Sequence, residues 1–148
     1  MSRSYHTRGV ATVGTDKSAV SLIASTSVRG KLYEFLIGSA ATPGDQAANW
    51  AIQRFTADGT GTAFTPIALD PADPASLCTS KSNYSAEPPV TAATFLFQAS
   101  VNQRATLRWI AAPGKELVIP ATSGNGCVVK TAAATGTAVH EVGAYFEE

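Results

Sequence analysis

The chain has 148 residues, the usual size of one domain, and only 15% of them are charged, against roughly 25% in an average soluble protein. Its 11 basic and 11 acidic residues cancel, which excludes a global field that would draw the chain to nucleic acid or to an anionic membrane. Two His, two Cys and one Met are too few for a zinc site or a hydrolase triad, so we expect a binding or structural protein with no metal, no cofactor and no enzyme activity.

The chain is predicted to form one β-sandwich domain over residues 1–148, with a short basic N-terminal arm at about residues 1–9. Arg3 and Arg8 carry the charge of this arm. A basic terminus is most often solvated, and the alternative is that it lies on an acidic partner. The arm lacks the apolar segment of a signal peptide, and no stretch of the chain approaches the roughly 18 apolar residues of a membrane span.

The two cysteines are far apart in the sequence, Cys78 in a loop and Cys127 at the start of a strand. In a reducing cytoplasm we expect two free thiols, and a single disulfide is the alternative if the fold brings the two residues together.

From Lys31 onward, apolar residues alternate with a period of two and turn signals recur about every ten residues, which predicts strands. The first clear strands are residues 31–37 and 48–56, and Trp50 is predicted to face the core from the second. The Asp58–Gly59 turn is predicted to join this strand to the next, over residues 62–69, as a hairpin.

Residues 70–93 hold four of the eight prolines and are predicted to form a long loop. Asp70 and Asp73 each precede a proline there, so the interpretation is a rigid turn. Calcium binding is the alternative, but a calcium loop needs about six to eight oxygen ligands.

Strands at 94–101 and 105–110 are predicted to pair through their short link, with Trp109 in the core and Arg104 and Arg108 on the opposite face. A type II turn is predicted at Ala112–Lys115, which has proline and glycine at its central positions.

A further turn at 123–126 and strands at 127–131 and 137–146 complete the pattern. With eight to ten strands and no convincing helix, the fold class is all-β, an antiparallel β-sandwich that is jelly-roll-like. His6 and His140 stand alone in the sequence, which favours ordinary strand positions over the metal site of a cupin.

Several short phrases spread over residues 31–148 are distinctive, namely Tyr33–Gly38, Thr56–Thr65, Leu69–Asp73, Asn102–Trp109, Ala112–Glu116, Pro120–Thr122 and the ending Phe146–Glu148. In these phrases the chain resembles small virion proteins of tailed bacteriophages, in particular capsid decoration proteins, also called cement proteins. The similarity contains no catalytic or ligand-binding motif.

The resemblance implies a protein that is assembled in the host cytoplasm and binds the outside of the phage head, where it cements neighbouring major capsid subunits. Its partners would be the major capsid protein and further copies of itself, with a trimer as the first choice and a dimer as the second. The candidate contact residues are then Arg3, Arg8, Asp70, Asp73, Arg104 and Arg108. The alternatives are a receptor- or glycan-binding module of a phage fibre or tail, with an exposed aromatic platform, and an enzyme, with a polar cleft.

Overall fold

The computed structural model describes residues 2–148, and within this range the chain forms strands, turns and loops with no helix. No helix is therefore present among these residues that could cross a membrane. The strands are β1 (Ser4–Thr12), β2 (Lys17–Ile23), β3 (Lys31–Ala41), β4 (Ala47–Phe55), β5 (Thr60–Phe64), β6 (Ile67–Ala68), β7 (Thr79–Ala86), β8 (Val90–Asn102), β9 (Leu107–Ile110), β10 (Leu117–Val118), β11 (Gly126–Ala134) and β12 (Val139–Glu147).

The strands form two six-stranded antiparallel sheets. In sheet A, β12 lies between β3 and β1, β6 continues the sheet beyond β1, and β9 and β10 both pair with the far side of β3. Sheet B has the order β5-β7-β2-β11-β4-β8. The predicted all-β antiparallel sandwich is confirmed. The predicted strand count was too low because β6 and β10 have two residues each, and the jelly-roll-like arrangement stays a prediction.

The predicted N-terminal arm is wrong, because this segment is a strand inside sheet A. β1 pairs along its whole length with β12, from Ser4 opposite Glu147 to Thr12 opposite Val139. Tyr5 is fully buried, and its ring stacks on Phe146 with centroids 5.5 Å apart. The period-two pattern is present in β1, but its inward residues include polar and small types that do not register as an apolar alternation.

Two predicted hairpins are also wrong. β4 lies between β11 and β8, whereas β5 pairs with β7 at the opposite edge of sheet B, so the Asp58–Gly59 turn joins strands that do not pair. β8 belongs to sheet B and β9 to sheet A, so the link between them crosses the sandwich. A turn signal shows that the chain changes direction, and it does not show that the flanking strands are neighbours.

The predicted loop over residues 70–93 contains the strand β7. Its inward residues are serines that bond to β1: the Thr7 and Ser80 hydroxyls are 2.7 Å apart, and the Val10 N–H donates to Ser82 Oγ at 3.1 Å. Because these inward residues are polar, β7 lacks the apolar alternation by which a strand is predicted from sequence.

The core lies between the two sheets. Trp50 is fully buried, as predicted, whereas Trp109 is only half-buried at the sandwich margin. The Trp109 ring stacks on Phe35 and tilts against Phe97, with centroid distances of 5.5 and 6.1 Å. The predicted type II turn is confirmed by Gly114, with φ of 76°, together with a Lys115 N–H to Ala112 C=O bond of 2.9 Å.

Candidate partner-binding face on sheet A

The outer side of sheet A carries the most distinctive surface of the molecule, and we call it the A face. Strand pairing arranges the outward side chains in the central part of the A face in three rows that run across the sheet. The rows are Arg108, Leu36, Gly143 and Arg8; Ile110, Glu34, Tyr145, His6 and Ile67; and Gly38, Glu141 and Val10.

Apolar side chains are concentrated on the A face. Of the seven exposed large hydrophobic residues in the described part of the chain, four lie there: Val10, Leu36, Ile67 and Ile110, with exposures of 38%, 41%, 69% and 54%. Single exposed apolar residues are ordinary, but several on one sheet face are typical of a surface that another molecule covers.

Two glycines leave a depression in the middle of the A face. Gly38 has no atom within 4 Å of where a Cβ would stand, and at Gly143 the nearest atom to such a Cβ is Nε2 of His6 at 3.1 Å. A shallow cavity of about 220 Å³ lies over them, bounded by Leu36 and Glu141. A partner side chain can therefore approach the backbone of the sheet here.

A larger groove, of about 380 Å³, follows the margin of the A face where β1 meets sheet B. Its walls include Phe64 of β5 on one side and His6, Arg8 and Val10 of β1 on the other. A second cavity of about 330 Å³ shares His6, Arg8 and Phe64 with it, so the groove and this cavity adjoin.

Charges frame the apolar part of the A face. Arg108 forms an ion pair with Glu34 at 2.6 Å, whereas neither Arg8 nor Glu141 has an ion-pair partner among residues 2–148. The cross-strand row puts Arg8 three strand spacings from Arg108, about 14 Å between backbones. Arg8 therefore offers a cation, and Glu141 an anion, to a partner beside the exposed apolar groups.

Three ring side chains stand together at one end of the A face. The His6 ring tilts against Tyr145 with centroids 4.7 Å apart, and Tyr33 lies 6.4 Å beyond. Burial, with the charge of Arg8 as a smaller cause, lowers the pKa of His6, so this ring is neutral at pH 7.

The structure separates the six predicted contact residues into groups. Arg8 and Arg108 share a row of the A face. Arg3 directly precedes β1 and forms a 3.7 Å ion pair with Asp73. Asp70 accepts the Ala72 N–H at 2.9 Å, which confirms its turn-forming role. Arg104 is exposed in the crossing between β8 and β9, so the strand position predicted for it is wrong.

The remaining titratable residues of interest are buried in the core. The His140 and Trp50 rings make a T-shaped contact with centroids 5.4 Å apart, and Nε2 of His140 is 3.1 Å from the Gln103 carbonyl oxygen. Cys78 and Cys127 are both buried and free, and burial raises their pKa to about 11 and about 12. No group of three or more His, Cys, Asp or Glu that could hold a metal ion occurs within residues 2–148.

Most of the exposed apolar residues of the A face were not predicted from the sequence as part of a binding surface. Leu36 alternates with the inward Phe35 and Ile37, and that signal marks it as outward. Ile67 and Ile110 lie in strands of two and four residues, which are too short for a period to assign their direction.

Comparison of the chain with protein-family models, with curated proteins and with solved structures finds no match in any of the three. The residues of the chain and the geometry of the A face are therefore the basis on which its function is inferred.

Proposed function

We propose that this chain is a structural protein that binds another protein through the A face, and that it serves as a capsid decoration protein of a tailed bacteriophage. In that role it sits on the outside of the head and holds neighbouring major capsid subunits together. The observation that carries the proposal is the concentration of four of the seven exposed large hydrophobics on one side of sheet A. The phrases that resemble phage decoration proteins supply the identity of the partner.

The composition of the A face supports protein binding. Stable protein interfaces combine an apolar centre with a polar rim, and Arg is among the residues enriched in them. Leu36 and the depression at Gly38 are flanked by the two arginines of the same face, Arg8 and Arg108. Because the face is a paired sheet, its backbone is already ordered, so binding costs little additional conformational entropy.

Self-association and the jelly-roll-like arrangement belong to the same proposal. Closed cyclic oligomers are the usual form of soluble assemblies, and a capsid lattice offers symmetric positions for them. The proposed location is the capsid exterior, reached after assembly in the host cytoplasm.

A glycan- or receptor-binding module of a fibre or tail is the second candidate, and one observation favours it. The ring cluster of His6, Tyr145 and Tyr33 is partly exposed on the A face, and amphipathic aromatic rings suit stacking on a ligand. The tryptophans lend it less support, since Trp50 is fully buried and Trp109 stacks inside the margin of the core.

The test is co-sedimentation of the purified chain with heads of the encoding phage that were assembled without it. We expect saturable binding that Gly38→Arg abolishes, because the new side chain fills the depression and carries charge into the apolar centre. Ala57→Arg, on an exposed connection of sheet B, is the matched control and should bind as the wild type does. Absence of head binding by the wild-type chain would overturn the proposal, and glycan binding lost in Tyr145→Ala would support the second candidate.

A further inference from the structure

The four sheet edges differ greatly in length. Sheet A ends in β9 and β10 on one side and in β6 on the other, and one edge of sheet B is β5. These strands have between two and five residues. β6 pairs only with Tyr5 and His6 of β1, and further along β1 the Val10 N–H donates to Ser82 Oγ of β7. The remaining edge is β8, with 13 residues, and among the described strands it pairs only with β4. Natural proteins use short edge strands to prevent pairing between chains, and β8 lacks this protection.

β8 also lacks the residue types that usually prevent an edge strand from pairing with another chain. Its 13 residues contain no Lys, Arg, Asp, Glu or Pro, the residues that usually block pairing with another chain. Only its first half is irregular, with register shifts opposite Gln53 and a positive φ of 59° at Ala93. Phe97–Asn102 then pairs with Ala47–Ile52 in unbroken register, so this second half is a regular and uncharged edge.

One hydrogen bond identifies the backbone groups that face outward along this edge. Gln103 N–H donates to Gln46 C=O at 2.9 Å. Antiparallel pairing alternates bonded and non-bonded residue pairs, so Gln98 and Ser100 direct their backbone N–H and C=O away from β4. No described strand lies on that side. An open row of this kind accepts a strand from another chain.

We propose that the occupant of this edge is β8 of a second copy, antiparallel across a twofold axis, so that the two B sheets become continuous. Self-pairing across a twofold axis brings residues near the axis close to their own copies, so a charge there would lie near its like. β8 carries none. Pairing centred on Ala99 places Phe97 opposite Val101, and both of these side chains already pack against the core, so the apolar side of the joined sheet stays continuous.

This inference does not depend on the proposed function. Pairing of β8 with itself is isologous and closes at two copies. The edge therefore favours the dimer over the trimer, the two oligomers considered from the sequence.

The experiment is the mass of the full chain in solution, measured by analytical ultracentrifugation across a concentration series. We expect the dimer mass for the wild type and the monomer mass for Ser100→Pro. Proline removes an N–H that faces away from β4, and an edge strand tolerates it there, so the circular dichroism spectrum should be unchanged. Thr62→Lys, on the opposite edge strand β5, is the control and should remain a dimer.

A charge exchange tests the pairing without changing the backbone. Ser100→Lys and Ser100→Glu should each be monomeric when alone, because the two copies of residue 100 are diagonal neighbours across the axis, each opposite Gln98, and long side chains of like charge repel at that distance. An equal mixture should recover the dimer mass. A wild-type monomer or trimer would overturn the proposal. So would dimeric forms of both charged variants alone, or failure of their mixture to dimerise.

Discussion

Substituting Tyr5 distinguishes a strand at the N-terminus from an arm. Tyr5 is fully buried, its ring stacks on Phe146, and its hydroxyl donates to the Pro74 carbonyl at 3.2 Å. Removing a buried aromatic side chain of this size costs about 3–5 kcal/mol, out of the roughly 5–15 kcal/mol by which a domain is stable. We therefore expect Tyr5→Ala to lose a large part of the free energy of unfolding.

The assay is urea denaturation followed by fluorescence and circular dichroism. At a slope of about 2 kcal/mol per M, the midpoint of Tyr5→Ala should fall by roughly 1.5–2.5 M. Tyr5→Phe keeps the ring and loses only the hydrogen bond, so it should cost about 0.5–1.5 kcal/mol. Arg8→Ala, on the same strand but exposed, is the control and should stay within about 0.5 kcal/mol of the wild type.

The same reasoning predicts that deletion of residues 2–9 leaves the chain unfolded, because it removes most of β1 from between β12 and β6. A Tyr5→Ala midpoint within experimental error of the wild type, or a truncated chain that melts cooperatively at the wild-type temperature, would refute the burial of this strand.

Three further predictions concern the interior. Burial lowers the pKa of His140, so as pH drops the unfolded chain takes up the proton first, and the free energy of unfolding should fall below about pH 6.5. Denaturation at several pH values should show a smaller fall for His140→Asn, and an equal fall would contradict the burial of this ring. Burial raises the pKa of Cys78 to about 11 and of Cys127 to about 12, so neither thiol should react with Ellman's reagent at pH 8 until the chain is unfolded. Rapid labelling of the folded protein would count against the burial of these thiols. A Cβ at Gly126 would collide with a ring of β4 and a backbone carbonyl of β2, whereas one at Gly38 would meet nothing within 4 Å. Thermal melts should therefore show Gly126→Ala strongly destabilised and Gly38→Ala near the wild type. Equal melting temperatures of the two variants would contradict this packing.

The sequence predicts those strands whose inward residues are apolar. The alternation around Phe35 and Ile37 identifies β3, and the Pro113–Gly114 pair identifies a type II turn, because both signals are local. β1 and β7 are not predicted in this way, because inward residues such as Thr7 and Ser80 are polar and form a hydrogen bond between the sheets.

Strand pairing is the part that local signals cannot supply. Arg8 and Arg108 are both candidate contact residues from sequence, but their shared row on the A face exists only because β12 and β3 lie between them. That order depends on contacts between residues more than a hundred positions apart, such as Arg8 opposite Gly143. No periodicity or turn preference encodes such a pairing.

Electron cryomicroscopy of phage heads, with and without the added chain, shows whether the chain decorates the capsid and which face it uses. We expect extra density on the outer surface of the head only when the chain is added, with the A face, including Leu36 and Gly38, against the major capsid protein. Identical maps with and without the chain would contradict the claim of capsid decoration. Density in which the A face points to solvent would contradict the assignment of the binding surface.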